Sequence, residues 1–191
     1  MASIKGTKTE QNLLKSFAGE SQARNRYTMY ASTASKEGYS QIGNIFLETA
    51  ENERVHAKEM FRFLEGGLVE ITATYPAGKI GTTEQNLSAA AAGENEEHTR
   101  LYPSFAATAR EEGFDKVALM YTLISKVEQW HEKRYLDLLD NVKNSTVFKK
   151  ERPVKWICRK CGYIHEGPDA PKTCPLCRHP QCYFEIVNER W

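Results

Sequence analysis

The first 157 residues of this 191-residue chain contain no cysteine, so that stretch cannot form a disulfide. Neither sign of charge is in excess, since 26 lysines and arginines stand against 25 aspartates and glutamates for a net charge of +1. This balance gives no basis for expecting a nucleic-acid or membrane partner. The chain also lacks an apolar run of membrane-spanning length, and its first residues are polar, unlike a secretory signal. We therefore expect a soluble, cytoplasmic protein.

All five cysteines lie between Cys158 and Cys182, and four of them form two Cys-x-x-Cys pairs. The pairs are Cys158–Cys161 and Cys174–Cys177, with 12 residues between them. In a cytoplasmic protein this spacing favours a tetrahedral metal site of four thiolates over disulfides. Zinc and iron both fit such a site, and spacing alone does not choose between them. Cys182 falls outside the pattern and is expected to be a packed thiol.

The chain divides into two unequal parts at the point where its composition changes. We expect a helical domain over residues 1–147, a linker over 148–152 and a small metal-binding domain over 153–191. A domain as short as the last one cannot bury enough apolar surface to fold alone, so a metal is expected to organise it.

An internal repeat occupies the first part of the chain. Residues 8–35 and 39–65 read as two helices with Gly38 at the turn, and residues 84–112 and 114–142 repeat this plan. Short matches align the copies, such as Ala18-Gly19-Glu20 with Ala92-Gly93-Glu94. An irregular, glycine-containing segment separates them. Two helical hairpins joined by a long connection predict an all-α, ferritin-like four-helix bundle with one crossover.

Two Glu-x-x-His motifs, Glu53–His56 and Glu128–His131, occupy the second helix of each copy. Residues three apart share a helix face, so each glutamate lies beside its histidine. The first helix of each copy adds one more glutamate at a core position, Glu20 or Glu94. This is the ligand set of a two-metal carboxylate site, in which glutamates from all four helices and two histidines point inward.

A single Glu-x-x-His pair is usually a solvated helix face, but the whole set is harder to explain in that way. Five glutamates fall at one level of the bundle interior: Glu20, Glu53, Glu94, Glu97 and Glu128. Buried charges without partners cost several kcal/mol each, and Arg24 alone cannot compensate five anions. Carboxylates with a minority of imidazole favour iron or manganese over zinc or copper. The four-cysteine domain favours iron in the bundle as well.

Glu97 breaks the repeat, because the first copy has Ala23 at the corresponding position. The offset between copies is 74 at Glu20 and Glu94 but 75 at the turn glycines, so the second copy has one extra residue. A residue inserted in a helix is commonly absorbed by a π-type turn, which we predict near residues 97–103. Pro103 is a competing cause of distortion there.

Tyr27 and Tyr102 correspond in the two copies, each about two turns after its glutamate. They are candidates for hydrogen bonds to the ligand carboxylates or for proton delivery, and the alternative is a core aromatic with a satisfied hydroxyl. His98 is expected at the surface.

With both parts considered together, the chain resembles the rubrerythrins over essentially its whole length. The resemblance rests on the ligand-bearing repeat followed by Cys161-Gly162-Tyr163 and Cys174-Pro175-Leu176-Cys177, which are similar to the iron-binding turns of rubredoxin. It implies a non-haem diiron peroxidase that reduces hydrogen peroxide to water and protects against oxidative stress. It also implies an Fe(Cys)₄ centre, which zinc can occupy by substitution, fed by rubredoxin or an NAD(P)H-dependent reductase.

The resemblance further assigns roles to the candidate ligands. It implies iron ligation by five permanent ligands, Glu20, Glu53, Glu94, Glu128 and His131. Glu97 and His56 would alternate at one iron, with the carboxylate bound in the diferric state and the imidazole in the diferrous state. A harder ferric ion favours the anionic ligand, which makes this exchange chemically reasonable.

The distance between the bundle site and the tail bears on the oligomeric state. His131 lies about 13 residues before the end of the last helix, so its metal is ~20 Å from the start of the tail. A head-to-tail homodimer would bring one tail beside the partner's site.

The alternative functions are a ferritin-like ferroxidase or iron-binding protein with a zinc-ribbon tail, and a manganese catalase-like enzyme.

Overall fold

The computed structural model describes residues 3–188, and its helices follow the predicted repeat. They are α1 (Lys8–Lys36), α2 (Ser40–Phe61), α3 (Thr83–Glu96), α4 (Tyr102–Glu111) and α5 (Asp115–Lys143), with a π-turn at Glu97–Leu101 between α3 and α4. The segments α3, π-turn and α4 run on without a break as one rod. This rod packs against α5, and α1 packs against α2. The predicted four-helix bundle with a long crossover is confirmed.

The two hairpins turn in the same way. Gly38 and Gly113 adopt φ angles of +87° and +81°, a conformation that a residue with a side chain rarely takes. After each glycine, the amide of Tyr39 or Phe114 donates to the carbonyl five residues back, at 2.8 Å and 2.7 Å. These bonds satisfy carbonyls at the helix end and fix the angle at which the second helix of each hairpin leaves.

Each hairpin turn also caps the first helix of the other hairpin. The Glu112 carboxylate accepts hydrogen bonds from the amides of Lys8 and Thr9 at 3.1 Å and 2.8 Å, at the start of α1. The Glu37 carboxylate accepts from the amide of Thr83 at 2.9 Å, at the start of α3. A negative charge at a helix N-terminus satisfies free amides and interacts favourably with the helix dipole.

Helix α2 ends at Phe61, earlier than the predicted limit at residue 65. The amides of Phe63 and Leu64 bond to carbonyls three residues back, at 3.2 Å and 3.1 Å, which tightens and closes the helix. Two glycines at positive φ follow, and the crossover then runs along the bundle without regular secondary structure as far as residue 82.

The C-terminal part folds as a small antiparallel sheet. Its strands are β1 (Lys149–Cys158), β2 (Ile164–Asp169) and β3 (Phe184–Ile186), in the order β2-β1-β3. The residues expected to form a linker at 148–152 therefore mostly belong to β1, whose Lys149 pairs with Asp169. The fully buried Trp156 organises the core of this domain and donates its indole N–H to the Gly167 carbonyl at 3.0 Å.

The tail packs against its own bundle at the α1–α2 turn. The ring of Phe148 stacks on that of Tyr39, with centroids 6.3 Å apart and planes 8° from parallel. Cys182 also lies against this turn, with its Cβ 3.8 Å from where a Cβ on Gly38 would be. Over residues 3–188, none of the helices combines the length and the apolarity needed to cross a membrane.

Candidate metal centres

Six side chains meet in the middle of the bundle, and each of them is buried. They form two overlapping groups of four in which the ligand atoms lie within 4.8 Å of one another: Glu20, Glu53, His56 and Glu128 in one, and Glu53, Glu94, Glu128 and His131 in the other. α1, α2, α3 and α5 all contribute at least one residue. Glu53 and Glu128 belong to both groups, so the geometry is that of two ion sites sharing two carboxylates.

The distances from the histidine Nδ1 to the shared carboxylates are similar in the two groups. His56 Nδ1 lies 2.8 Å from Glu53 Oε2 and 3.0 Å from Glu128 Oε1. His131 Nδ1 lies 2.8 Å from Glu128 Oε2 and 3.3 Å from Glu53 Oε1. Each shared carboxylate therefore presents one oxygen to each histidine. Shared carboxylates in this arrangement are suited to bridging a pair of ions.

Several of these atoms are buried without a hydrogen-bond partner within the described residues: Glu20 Oε2, Glu53 Oε1, Glu94 Oε2, both carboxylate oxygens of Glu128, and His131 Nδ1. An unsatisfied buried polar group costs about 1–3 kcal/mol, and a charged one costs more. The atoms converge on common points, some of them at ion-pair distances from one another but without a hydrogen bond. Carboxylate oxygens and imidazole nitrogens with unused lone pairs fit divalent or trivalent ions, so the donor set fits the predicted pair of metals.

The electrostatics of the metal-free site point the same way. Burial, and then the neighbouring carboxylate Glu53, raises the pKa of Glu20 and of Glu94 above the usual range. Burial lowers the pKa of His56 and of His131, but close contact first with the Glu128 carboxylate and then with that of Glu53 outweighs it and gives values of about 10 and about 12. Without metal the site therefore gathers protons, which bound cations would displace.

A tyrosine from each hairpin reaches the glutamate of the other hairpin. Tyr27 on α1 donates its hydroxyl to Glu94 Oε1 at 2.5 Å, and Tyr102 on α4 donates to Glu20 Oε1. Both tyrosine side chains are buried. These hydrogen bonds fix the orientation of the two carboxylates that belong to one group each.

Asn52 holds one histidine from behind, and sequence reasoning missed it. Its Oδ1 lies 3.2 Å from His131 Nε2, which leaves Nδ1 directed at the glutamates. A partner on the outer nitrogen sets the tautomer of a ligating histidine. Asn52 directly precedes Glu53 in the sequence, but no spacing rule separates it from an ordinary helix-surface asparagine.

The π-turn at Glu97–Leu101 confirms the prediction made from the extra residue. In the first hairpin Tyr27 follows Glu20 by seven positions, whereas in the second Tyr102 follows Glu94 by eight. The wider turn absorbs the eighth residue, so that Tyr102 keeps the phase of Tyr27 and reaches its carboxylate. Glu97 begins this turn, is partly exposed and lies outside both ligand groups. Burial and then Glu94 raise its pKa well above the usual range.

His98 is largely enclosed, with 13% of its side chain exposed, so the expectation of a surface position is wrong. Its Nε2 lies 2.6 Å from Glu132 Oε2 on α5. Ser125, also on α5, donates to the His98 carbonyl at 3.1 Å. A π-turn displaces carbonyls from the regular helical ladder, and these contacts satisfy one carbonyl and attach the turn to α5.

The four paired cysteines also converge as predicted. Cys158 and Cys177 have sulfurs 3.7 Å apart, and Cys161 and Cys174 have sulfurs 3.6 Å apart. Burial raises the pKa of the Cys174 thiol, but hydrogen bonds from the backbone amides of Cys177 and then Leu176 have the larger, opposite effect and bring the pKa down to about 7. Four sulfurs this close form a compact cage for a single ion with tetrahedral coordination.

Comparison with known proteins gives the same division of the chain. Residues 11–139 match the rubrerythrin family, and residues 156–185 match the rubredoxin-like domain of rubrerythrin. The chain belongs to the rubrerythrin family. Among its relatives, the rubrerythrin of Porphyromonas gingivalis is 60% identical over 99% of this chain and 94% of its own length. Rubrerythrin-1 of Clostridium acetobutylicum is 61% identical over the full length of both proteins.

Solved structures agree on the fold of this rubrerythrin-family chain. Nigerythrin in its fully reduced, all-ferrous state superposes with a TM-score of 0.64 at 30% identity, covering 96% of this chain and 91% of nigerythrin. Symerythrin from Cyanophora paradoxa gives a TM-score of 0.64 at 22% identity, over 75% of this chain and 89% of symerythrin, which supports the bundle fold alone. The chain thus combines a candidate diiron site with a four-cysteine cluster consistent with a rubredoxin-like site.

Proposed function

We propose that this protein is a non-haem diiron peroxidase that reduces hydrogen peroxide to water and protects the cell against oxidative stress. The observation that carries the proposal is the joining, in one chain, of an unsatisfied carboxylate–histidine cluster and a four-thiolate cage. Relatives named rubrerythrin, and a nigerythrin whose iron is described as all ferrous, support iron in the bundle. Iron held in the two sites would supply the two electrons, one from each ion, that reduce the peroxide.

The protein's own groups orient the site and manage protons. Tyr102 holds a proton on its hydroxyl toward Glu20, because burial and then the Glu20 charge raise its pKa well above the usual range of a tyrosine. Tyr27 does the same toward Glu94. Glu97 lies outside both ligand groups, so its carboxylate is available to receive a proton or to exchange with His56 as an iron ligand.

Electrons would enter through the thiolate site from a rubredoxin or an NAD(P)H-dependent reductase and pass to the bundle. The tail packs at the α1–α2 turn, 14 residues before Glu53, which corresponds to about 20 Å along α2. That is a long path within one subunit. We therefore include a head-to-tail homodimer, in which each tail serves the partner's bundle, as part of the proposal.

The deciding experiment uses iron-loaded protein that has been reduced without oxygen and then mixed with one equivalent of hydrogen peroxide. We expect the bundle iron to oxidise within the mixing time. The colour of the ferric tetrathiolate should then appear more slowly, as the initially ferrous, colourless tail passes its electron to the oxidised bundle iron. A matched sample with zinc in the tail should oxidise once and then fail to turn over with an NAD(P)H-driven donor. Faster oxidation by dioxygen, with iron retained in a mineral core, would instead indicate the ferroxidase function.

A further inference from the structure

A cleft with a volume of ≈ 720 Å³ opens at the π-turn, next to the groups that surround the candidate metal site in the bundle. Its walls are α1, residues 72–76 of the crossover, and the π-turn with the ends of α3 and α4. Both Glu97 and Tyr102 line it, and the Tyr102 hydroxyl bonds directly to the candidate ligand Glu20. The cleft therefore reaches the layer of groups that surrounds the metals.

The size of the cleft exceeds the need of the proposed substrate. Hydrogen peroxide is little larger than water, whose share of liquid volume is about 30 Å³. Pockets that bind organic molecules measure about 300–1,000 Å³ and have mainly apolar walls with a few polar groups. This cleft combines apolar side chains, which include Ala73, Pro76, Leu101 and Phe105, with charged ones such as Lys15, Arg26 and Arg100.

The crossover wall is held in place by Tyr75. Its hydroxyl donates to the Lys15 carbonyl on α1 at 2.6 Å. Its ring passes Gly19, where an added Cβ would lie 3.4 Å from the ring edge. Glycine at this position thus lets the ring lie close against α1. These two contacts attach the crossover wall to α1.

The opposite helix leaves space at the matching position. Gly93 is the repeat partner of Gly19, it lines the cleft, and a Cβ added there would meet nothing within 4 Å. A glycine thus precedes the ligand glutamate in both hairpins. In one hairpin the space is taken by the Tyr75 ring, and in the other it stays open to the cleft.

Resting on the peroxidase function above, we propose that the cleft binds the organic group of an alkyl or aryl hydroperoxide and presents its O–O bond at the wall formed by Glu97 and Tyr102. Cleavage of the O–O bond takes two electrons, which iron held by the bundle ligands would supply, and two protons, and it gives one alcohol and one water. The iron is then re-reduced by the one-electron donor already invoked for hydrogen peroxide.

The test compares cumene hydroperoxide with hydrogen peroxide on the iron-loaded enzyme. Gly93→Leu fills the cleft and should lower the ratio of kcat/KM for cumene hydroperoxide to that for hydrogen peroxide by about tenfold or more, as expected when an apolar pocket loses room. Ala92→Leu, at the exposed neighbouring position, is the matched control and should leave the ratio unchanged. If Gly93→Leu does not fold, Ala73→Phe fills the cleft from the crossover side.

A binding measurement separates this proposal from the peroxidase function itself. The ¹⁹F signal of 2-(4-fluorophenyl)-2-propanol should broaden with the metal-loaded protein, and the cleft-filling variants should abolish the broadening. Hydrogen peroxide turnover with no ¹⁹F broadening, and with a ratio insensitive to Gly93→Leu, would overturn the cleft proposal alone. Broadening that responds to Gly93→Leu in a protein that reduces no peroxide would overturn the peroxidase function and confine the cleft to binding.

Discussion

The two helical hairpins share their structural parts and differ where the metal site meets the cleft. Both turn on a glycine with positive φ, both cap the other hairpin with a glutamate, and both send a tyrosine to the other's carboxylate. Only the second has the extra residue, the π-turn and Glu97 in place of the buried Ala23. The repeat thus builds a symmetric pair of ion sites, and the departure from it adds a chemical group on one side.

The strongest test of the symmetric part is to remove a shared carboxylate. Glu128→Gln should lower the affinity for bundle iron more than the roughly 100-fold that loss of an outer partner costs, because Glu128 belongs to both ligand groups. Glu53→Gln should have the same effect. Iron per chain after anaerobic reconstitution measures this directly.

The two glutamates that belong to only one ligand group provide the control for that experiment. Glu20→Gln and Glu94→Gln each remove a carboxylate from one group only, so each should weaken one ion more than the other. The colour of the tail iron should persist in all four variants. Two irons bound normally in Glu128→Gln would contradict the shared-carboxylate arrangement.

The next test makes the two hairpins more alike by giving the second hairpin, at position 97, the alanine that the first has at position 23. Glu97→Ala should retain bundle iron, since Glu97 lies outside both ligand groups. Peroxide turnover should nevertheless fall by about 100-fold, which is typical for loss of a group that accepts or donates a proton. Iron analysis and steady-state kinetics on the same preparation check both parts.

A substitution at the corresponding position of the first hairpin gives the matched control for Glu97→Ala. Ala23→Ser places a small polar group at the corresponding buried site of the first hairpin and should leave turnover near the original value. Equal losses in the two variants would mean that the asymmetry has no catalytic consequence.

The crossed tyrosines should show a smaller difference. Tyr102→Phe removes a hydrogen bond to a carboxylate beside the cleft, and we expect kcat/KM for peroxide to fall about tenfold, equivalent to ~1.4 kcal/mol. Tyr27→Phe removes the matching bond on the side without a cleft residue and should change kcat/KM by less than about threefold. If both variants lose activity equally, Tyr102 serves only to orient its glutamate.

The reciprocal caps should affect stability alone. Glu112→Ala removes bonds to the Lys8 amide and to the amide and hydroxyl of Thr9, and should lower the melting temperature by a few degrees. Glu37→Ala removes one amide bond, to Thr83, and should lower it less. Thermal denaturation of the metal-loaded protein followed by circular dichroism compares the two.

Acidification sharpens the cap prediction. Hydrogen bonds from Thr9 hold the pKa of Glu112 below its usual range. A carboxylate with a lowered pKa stabilises the fold above its unfolded-state pKa, and this contribution disappears as the pH falls through the folded-state value. The difference in melting temperature between the original chain and Glu112→Ala should therefore narrow in acid. A constant difference would mean that the charge of Glu112 does not contribute.

The features that could be predicted from the sequence are those marked by a regular spacing of residues or by a difference in length between the two copies of the repeat. Spacing of three placed Glu53 with His56 and Glu128 with His131, and a difference of one residue between the copies located the π-turn. The four cysteines followed from their paired spacing. Each of these signals lies within one segment of chain, where helix geometry or a short motif fixes the neighbours.

What the sequence did not reveal depends on contacts between distant segments. The caps by Glu37 and Glu112, the support of His131 by Asn52 and the anchoring of His98 by Glu132 all join different helices. Polar residues at these positions look like ordinary surface residues until packing brings their partners close. The start of β1 at Lys149 was missed for the same reason, since its partner Asp169 lies 20 residues away.

The crossed bonds from Tyr27 to Glu94 and from Tyr102 to Glu20 mean that neither hairpin completes a metal site by itself. Such interlocked contacts are those of two identical halves related by a twofold axis, here joined into one polypeptide by the crossover. Covalent joining removes the requirement that the halves stay identical. The second half accordingly carries an extra residue and a carboxylate at Glu97, where the first has Ala23.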